Sequence, residues 1–355
     1  MFLHLKKTNV MIEQKEEIRE FTIDQIPEEQ NIQDIIFNLM ADPNLAPINY
    51  FNDFSEETVD VASMANDETD ETGIFSSENG QLMAMTTHAL HHHLEIDPQK
   101  ATEMLIARAV RKMICFGAVP EAVSSFLYHI NIADPNGQYI ASGAKNGLVN
   151  ACNKFNIKLT DRKIRFDYFS AHGPVSPTII VSLMGSVPDK DKIVTHSLKK
   201  KGNNIFMIGG SYDDINSSEY LEFYHEISES PLPVFDIDVE VGIHAVMKRL
   251  IAEGLLSSAN PVGKGGLFFS LLRAGMPSGF GFDITTDAEI RKDAFLFGEA
   301  MGRIVVGVDF TKVDDFVDLM LRLKVPFFAL GHVTKGEIRI DDESFGYIDK
   351  ITPSN

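Results

Sequence analysis

Apolar residues recur along this chain with two different periods. Met104, Leu105, Ala107, Val110 and Ile114 repeat every three or four positions, which predicts an amphipathic helix over 99–117 ended by Gly117. Further helices are predicted over 33–40, stopping before Pro43, and over 143–155, 236–253, 266–274 and 311–323. Leu82, Met83 and Met85 suggest a strand over 81–87, and β-prone stretches follow at 122–132, 204–208, 280–284, 303–308, 328–332 and 336–340. The run 178–186 is apolar enough for a strand buried on both faces or closing a barrel. Residues 51–79 carry nine acids and no base among Asn, Ser and Thr, the pattern of a loop or an interrupted acidic element.

A basic, polar connector from Lys190 to Lys201 divides the pattern. The expected organisation is an N-terminal segment with a lead-in helix over 1–50, a first domain over 51–190 and a second over 200–345. Each domain should pack helices on a mixed or mainly antiparallel sheet, a two-domain α+β (α/β mixed) fold. A doubly wound nucleotide fold fits worse, because many consecutive strands are joined by turns too short for crossover helices.

Composition sharpens this picture in three ways. The 355 residues carry 51 acids against 32 Lys and Arg, a formal charge of −19 that repels phosphate backbones and anionic lipid. Nucleic-acid and membrane-surface partners are therefore not expected. Seventeen of those acids fall between Glu20 and Gln99, where there is no Lys or Arg, so the rest of the chain is nearly neutral. Two cysteines, Cys115 and Cys152, sit in apolar surroundings and read as packed thiols in a reducing, cytoplasmic protein. No apolar run is long enough to span a membrane.

Several clusters could carry chemistry. His88, His91, His92 and His93 follow the first strand and read either as a metal site or as a polar turn. Gly209, Gly210 and Ser211 end a strand, where backbone N–H groups can cradle phosphate or simply form a tight turn. Lys264, Gly265 and Gly266 precede a helix and offer a second candidate phosphate contact. Glu299 could hold Mg²⁺ through phosphates or pair with Arg303 one turn on. Asp213, Asp214, Ser217, Ser218 and Glu219 read as a solvated turn. No Ser-His-Asp or Cys-His arrangement can be placed by spacing, so no residue is nominated as catalytic.

Taken in order, these segments resemble the second half of phosphoribosylformylglycinamidine synthase, within the aminoimidazole ribonucleotide synthetase-like superfamily. The similarity runs from Met40-Ala41-Asp42-Pro43-Asn44-Leu45-Ala46 through Met85-Thr86-Thr87, Phe116-Gly117-Ala118-Val119-Pro120 and Leu183-Met184-Gly185. It continues through Gly209-Gly210-Ser211, Ser218-Glu219-Tyr220, Leu255 to Asn260, Gly265-Gly266-Leu267 and Glu299-x-x-Gly302-Arg303 to Gly331-His332-Val333. The resemblance implies a first domain contributing strands to a β-barrel dimer interface and a ferredoxin-like second domain. It also implies an ATP-dependent carbon–nitrogen ligase of purine biosynthesis, with ATP or ADP and Mg²⁺ as cofactors. A homodimer through the first domains, and a glutaminase or other synthase subunit, are the implied partners.

The sequence departs from the family at charged positions. His88-Ala89 stands where the family has Asp-Gly, and Asn260-Pro261-Val262-Gly263-Lys264 stands where it has His-Asp-Leu-Ser-Glu. Its turn after the second strand is replaced by Tyr128 to Ile132, and another strand differs near Leu159 to Lys163. Two carboxylates are lost and one charge is reversed at Lys264. The alternative expectation is a noncatalytic nucleotide-binding or structural subunit.

Overall fold

A computed structural model describes residues 23–42, 45, 72–77, 79–91 and 93–351. Most of the acidic 51–79 stretch and His92 lie outside the described residues. After the lead-in helix α1 (Ile32–Met40), the first layer contains β1 (Gly73–Ser76), β2 (Leu82–Leu90), α2 (His93–Ile96) and α3 (Pro98–Cys115). It continues with β3 (Val119–Tyr128), α4 (Pro135–Phe155), β4 (Lys158–Ile164), a small hairpin of β5 (Phe169–Ser170) and β6 (Gly173–Pro174), and β7 (Thr178–Ser186).

Five strands form one mixed sheet in the order β1-β2-β7-β3-β4, with β3 and β4 parallel. Gly73–Ser76 is thus an edge strand, where the acidic composition predicted a loop; Ile74 is buried and the other three positions stay accessible. Strand β2 also runs three residues past its predicted end, so His88 lies within it.

Central β7 turns Ile179, Val181 and Leu183 inward, each fully buried, while Ile180 and Ser182 are half-buried and Met184 is exposed. Of the two expectations for this strand, burial on both faces or closure of a barrel, the first does not hold within the described residues, whose helices cover one face of this sheet. Helix α3 is the reverse case. It is buried nearly all round, wedged between the sheet, α4 and a helix of the second layer. Asp97 accepts the Lys100 N–H at 2.9 Å and Pro98 opens the first turn, so its start is well capped. Helix α4 begins eight residues before its predicted start, at an Asp134-Pro135 cap.

The second layer contains β8 (Asn204–Ile208), α5 (Ile237–Ala252), β9 (Ser258–Pro261), α6 (Gly266–Gly275), β10 (Phe282–Ile284) and α7 (Lys292–Phe297). It ends with β11 (Ile304–Val308), α8 (Val313–Leu323), β12 (Phe327–Val333), β13 (Glu337–Ile340) and β14 (Glu343–Tyr347). Its seven strands run β14-β13-β10-β12-β8-β11-β9. Within this sheet, β12-β8-β11-β9 is all antiparallel and, with α5 and α8, makes a βαββαβ ferredoxin-like core. One face packs through α5 and α8 into the core that also holds α3; the other is covered by α1, α6 and α7.

The two thiols are packed as expected. Cys115 and Cys152 are buried and in no disulfide, and burial pushes the Cys152 thiol up to about 11. Among the described residues no helix is long and apolar enough to cross a membrane.

Candidate functional site

Register places three loops at one end of the second sheet. Ile304, at the start of β11, pairs with Ile208 at the end of β8 and with Pro261 at the end of β9. The chain leaving β8, the turn from β9 into α6 and the segment from α7 into β11 therefore meet. Glycine lets their backbones touch. A Cβ at Gly209 (φ 110°) would overlap the Gly302 carbonyl oxygen. One at Gly266 (φ 71°) would sit against the Leu296 and Gly298 carbonyls, and one at Gly298 against that of Asp214. Gly210 packs under the Tyr212 ring. The next residue, Ser211, carries a buried hydroxyl with no hydrogen-bond partner among the described residues.

Glu299 ties these loops together. Its Oε1 accepts the N–H of Glu219 and the N–H of Gly265, each at 2.9 Å. Burial and the neighbouring Glu219 push this carboxyl above the usual range. Lys264 is ion-paired with Glu219 and half exposed. The Gly266 N–H turns back to the Gly263 carbonyl at 2.9 Å. Arg303 does not pair with Glu299: it donates to the carbonyls of Ala300 at 3.0 Å and Gly298 at 2.5 Å.

The segment after Gly210 is no solvated turn, since Asp214 and Ser218 are buried. Asp214 accepts the N–H of Asn216 at 3.0 Å and of Val234 at 2.7 Å, while Ser218 bonds Ile215 and Leu221. These side chains satisfy their own backbone, so polar residues are buried without penalty.

The first layer presents two arginines from α3. Arg111, 1% exposed, pairs with the fully buried Glu240 of α5 at 2.8 Å, and the same carboxylate oxygen accepts the Gly302 N–H at 2.9 Å. His244 approaches Glu240 to 3.2 Å without hydrogen-bond alignment and packs at a tilt against Phe155 at 5.1 Å; burial lowers its pKa. Among the described residues Arg108 donates only to the Met301 sulfur, at 3.4 Å. Among the described residues no carboxylate lies within 4 Å of its guanidinium, although it feels the more distant charges of Glu299, Glu219 and Glu240. Burial lowers its pKa. Sequence reasoning missed both arginines. The signal was present, because Arg111 falls on the 104, 107, 111, 114 stripe where an apolar residue is expected.

Two ligand classes can be weighed against this donor set. A phosphate fits: the Ser211 hydroxyl and the Arg108 guanidinium are donors lacking a strong acceptor. For Mg²⁺ the donor set is less complete, since Glu299 spends Oε1 on two backbone N–H groups and Glu219 Oε1 is tied to Lys264, which leaves one oxygen of each. Among the described residues no three His, Cys, Asp or Glu side chains converge to hold a metal. His88 sits 3.0 Å from the Thr86 hydroxyl within β2. Two surface recesses, of about 780 Å³ beside Leu321 and about 390 Å³ beside His332, lie away from the three loops.

Comparison with known proteins gives consistent matches. Residues 69–187 match the model for the AIR synthase related protein N-terminal domain, and residues 200–342 match that for the C-terminal domain. The phosphoribosylformylglycinamidine synthase subunit PurL of Moorella thermoacetica is 25% identical over 304 residues, covering 86% of this chain and 42% of that one. The chain thus spans less than half the length of that curated relative. Among solved structures, T. maritima PurL complexed with FGAR superposes with a TM-score of 0.68 at 15% identity, covering 81% of this chain and 49% of that one. The same protein complexed with ATP gives 0.65 at 15% identity, over 80% and 47%. PurLQS from Thermotoga maritima gives 0.65 at 16% identity, over 80% and 47%. At such identities the structures show a shared fold.

Proposed function

The chain belongs to the AIR synthase related protein family, and from that premise we propose that it is a phosphoribosylformylglycinamidine synthase-type unit of purine biosynthesis that binds ATP or ADP where the three loops meet. The observation that carries this reading is the pair of donors without a strong acceptor among the described residues, Arg108 and the Ser211 hydroxyl, where the three loops meet. Arg108 and Ser211 would hold phosphate oxygens, while Gly209 and Gly266 let the backbones close around them. Glu299 acts as the tie that keeps the Gly265 and Glu219 segments in register. In the ligase reaction ATP would phosphorylate the amide oxygen of formylglycinamide ribonucleotide, and ammonia would displace the phosphate. The reduced cytoplasm is the proposed setting, in keeping with two buried thiols that form no disulfide.

A second reading is favoured by one observation. Lys264, standing where the resembling family has Glu, is locked to Glu219, which leaves a nucleotide-holding subunit without turnover. Calorimetry with ADP and ATP, followed by product assay with formylglycinamide ribonucleotide, ATP and ammonia, separates the two. Binding with ammonia-dependent product supports the ligase. Binding without product supports the holding subunit, and no binding at millimolar nucleotide overturns both.

We further propose a homodimer through the uncovered face of the first sheet, and assembly with other synthase subunits as in the PurLQS relative. Register aligns Met85 with Met184, Thr87 with Ser182, and Ile180 with Phe126 across β2, β7 and β3. Met85 and Met184 are 42% and 39% exposed at the centre of a sheet, an apolar surface suited to self-association. Sedimentation should give a dimer mass for the wild type and a monomer mass for Met184→Asp. A wild-type monomer at micromolar concentration would remove the proposal.

A further inference from the structure

Beyond Ile164, at the end of β4, the chain continues as a short arm through Phe166 and Tyr168 into the β5–β6 hairpin. The arm is tied to the end of β3 and the turn that follows it. The Arg165 N–H donates to the Leu127 carbonyl at 2.8 Å, and the Ile130 N–H donates to the Arg165 carbonyl at 3.3 Å. His129 Nδ1 lies 2.8 Å from the Asp167 carbonyl oxygen, and the Val175 N–H closes the hairpin on the Tyr168 carbonyl at 2.9 Å. On this tethered arm Ile164, Phe166, Tyr168 and Phe169 all face solvent, Phe169 being 68% exposed. A row of large apolar side chains held in water is the mark of an interaction surface. Lys158, Arg162, Lys163 and Arg165 stand beside them against only Asp161 and Asp167. Among the described residues Lys163 pairs with Asp161, while Arg162 and Arg165 form no ion pair.

The same chain carries a segment of matching chemistry. Residues 51–71, outside the described residues, hold eight acids and no Lys, Arg or His, with Phe51, Phe54, Val59, Val61 and Met64 among them. Register brings the end of that segment to the arm's end of the sheet. Gly73 opposes Met85 in an antiparallel pair, so the chain entering β1 comes from the Leu90 end of β2. Leu90 aligns with Ile179, Ile179 with Leu127, and Leu127 with Ile164, where the arm begins. Four strand spacings, about 19 Å, separate the two edges of this sheet. The stretch from Asp60 to Thr72 reaches about 40 Å when extended, so the acids nearer Asp53 can lie on the arm without leaving β1. We propose that residues 51–71 dock on the arm of their own chain, with carboxylates against Arg162, Lys163 and Arg165 and apolar side chains against Phe166, Tyr168 and Phe169. The tether raises the local concentration of the segment to the millimolar range, so individually weak contacts suffice. The contact needs no nucleotide and no second copy, and it stands or falls apart from the ligase reading.

The test uses a synthetic peptide of residues 51–71 as probe, with the full chain and a variant in which 51–71 is replaced by a Gly/Ser linker of equal length. By calorimetry at low salt the linker variant should bind the peptide. That binding should weaken by about 10-fold or more at about 0.5 M salt, and by a similar factor on adding Arg162→Glu with Arg165→Glu, or Phe169→Ser. The full chain should bind the peptide about 10-fold more weakly than the linker variant, because its own segment holds the arm. A glutamate-specific protease gives an independent readout. It should cut the wild-type chain after Glu56 and Glu57 several-fold more slowly than the full chain carrying Arg162→Glu with Arg165→Glu, at every protein concentration. Circular dichroism checks that the variants keep the wild-type fold, and if the linker variant fails to fold, the protease comparison on full chains decides. A folded linker variant that does not bind the peptide overturns the inference, as does equal cleavage of the wild-type and arm-variant chains. Protection that appears only at high protein concentration also overturns it, since the arm would then be held by the segment of a second copy.

Discussion

Replacing Glu240 with Ala is expected to lower the unfolding free energy by about 3–5 kcal/mol, the loss typical of a buried ion pair deprived of one partner. Glu240 is fully buried and Arg111 is 1% exposed, so the guanidinium left behind cannot reach water. The same change strips the Gly302 N–H of its acceptor, adding an unsatisfied donor next to the three-loop junction. The effect belongs to the broken pair and not to the loss of charge as such. The double variant Glu240→Leu with Arg111→Met should therefore recover most of the stability, and urea midpoints of the single and double variants measure this directly. An unchanged midpoint for Glu240→Ala would mean that the pair does not hold α3 against α5.

The pair also has a pH signature. Burial pushes the Glu240 carboxyl up, but Arg111, His244 and the Gly302 N–H together outweigh it and hold the group below the usual carboxylate range. A depressed folded-state pKa gives stability that is present above the unfolded value. That stability is lost as pH falls through the folded one. The wild-type urea midpoint should accordingly decline on acidification below the ordinary glutamate range, and the double variant should decline less.

Periodicity made the second layer legible almost element by element, because β8, α5, α6, β11, α8 and β12 each carry a clean apolar repeat bounded by glycine or polar turns. What it could not show was which charges are buried. Arg111 and Glu240 lie 129 positions apart and meet only when α3 packs on α5. Glu299 looked like a partner for Arg303 by helix spacing, yet Gly298 ends α7, so no helix continues to bring the two together. The edge strand Gly73–Ser76 was hidden by its acidic neighbourhood, and its buried Ile74 is the only apolar side chain it gives to the core. The residues named as phosphate contacts do converge. Arg108 and Arg111 come to the junction from the other layer, where local pattern carries no information about them.

Gly209→Ala is expected to cost at least about 2 kcal/mol of stability and to abolish nucleotide binding together with it. Two effects add at this position. A φ of 110° lies outside the range that a residue with a Cβ adopts comfortably, and the Cβ would overlap the backbone oxygen of Gly302, which cannot rotate away. Relief would require the chain leaving β8 to separate from the segment entering β11, and those two segments frame the proposed site. Gly254→Ala provides the comparison, since φ there is 66° and nothing lies near the added carbon, so only the conformational cost of about 1 kcal/mol is felt. Gly210→Ala separates shape from strain: its φ is not positive, and the atoms nearest the added carbon belong to the Tyr212 ring, a side chain that can shift. Thermal or urea unfolding should rank the variants Gly209→Ala worst, and calorimetry should show binding lost in Gly209→Ala while Gly254→Ala keeps it. If Gly209→Ala unfolds no more readily than Gly254→Ala, the contact between Gly209 and Gly302 is not what closes the junction.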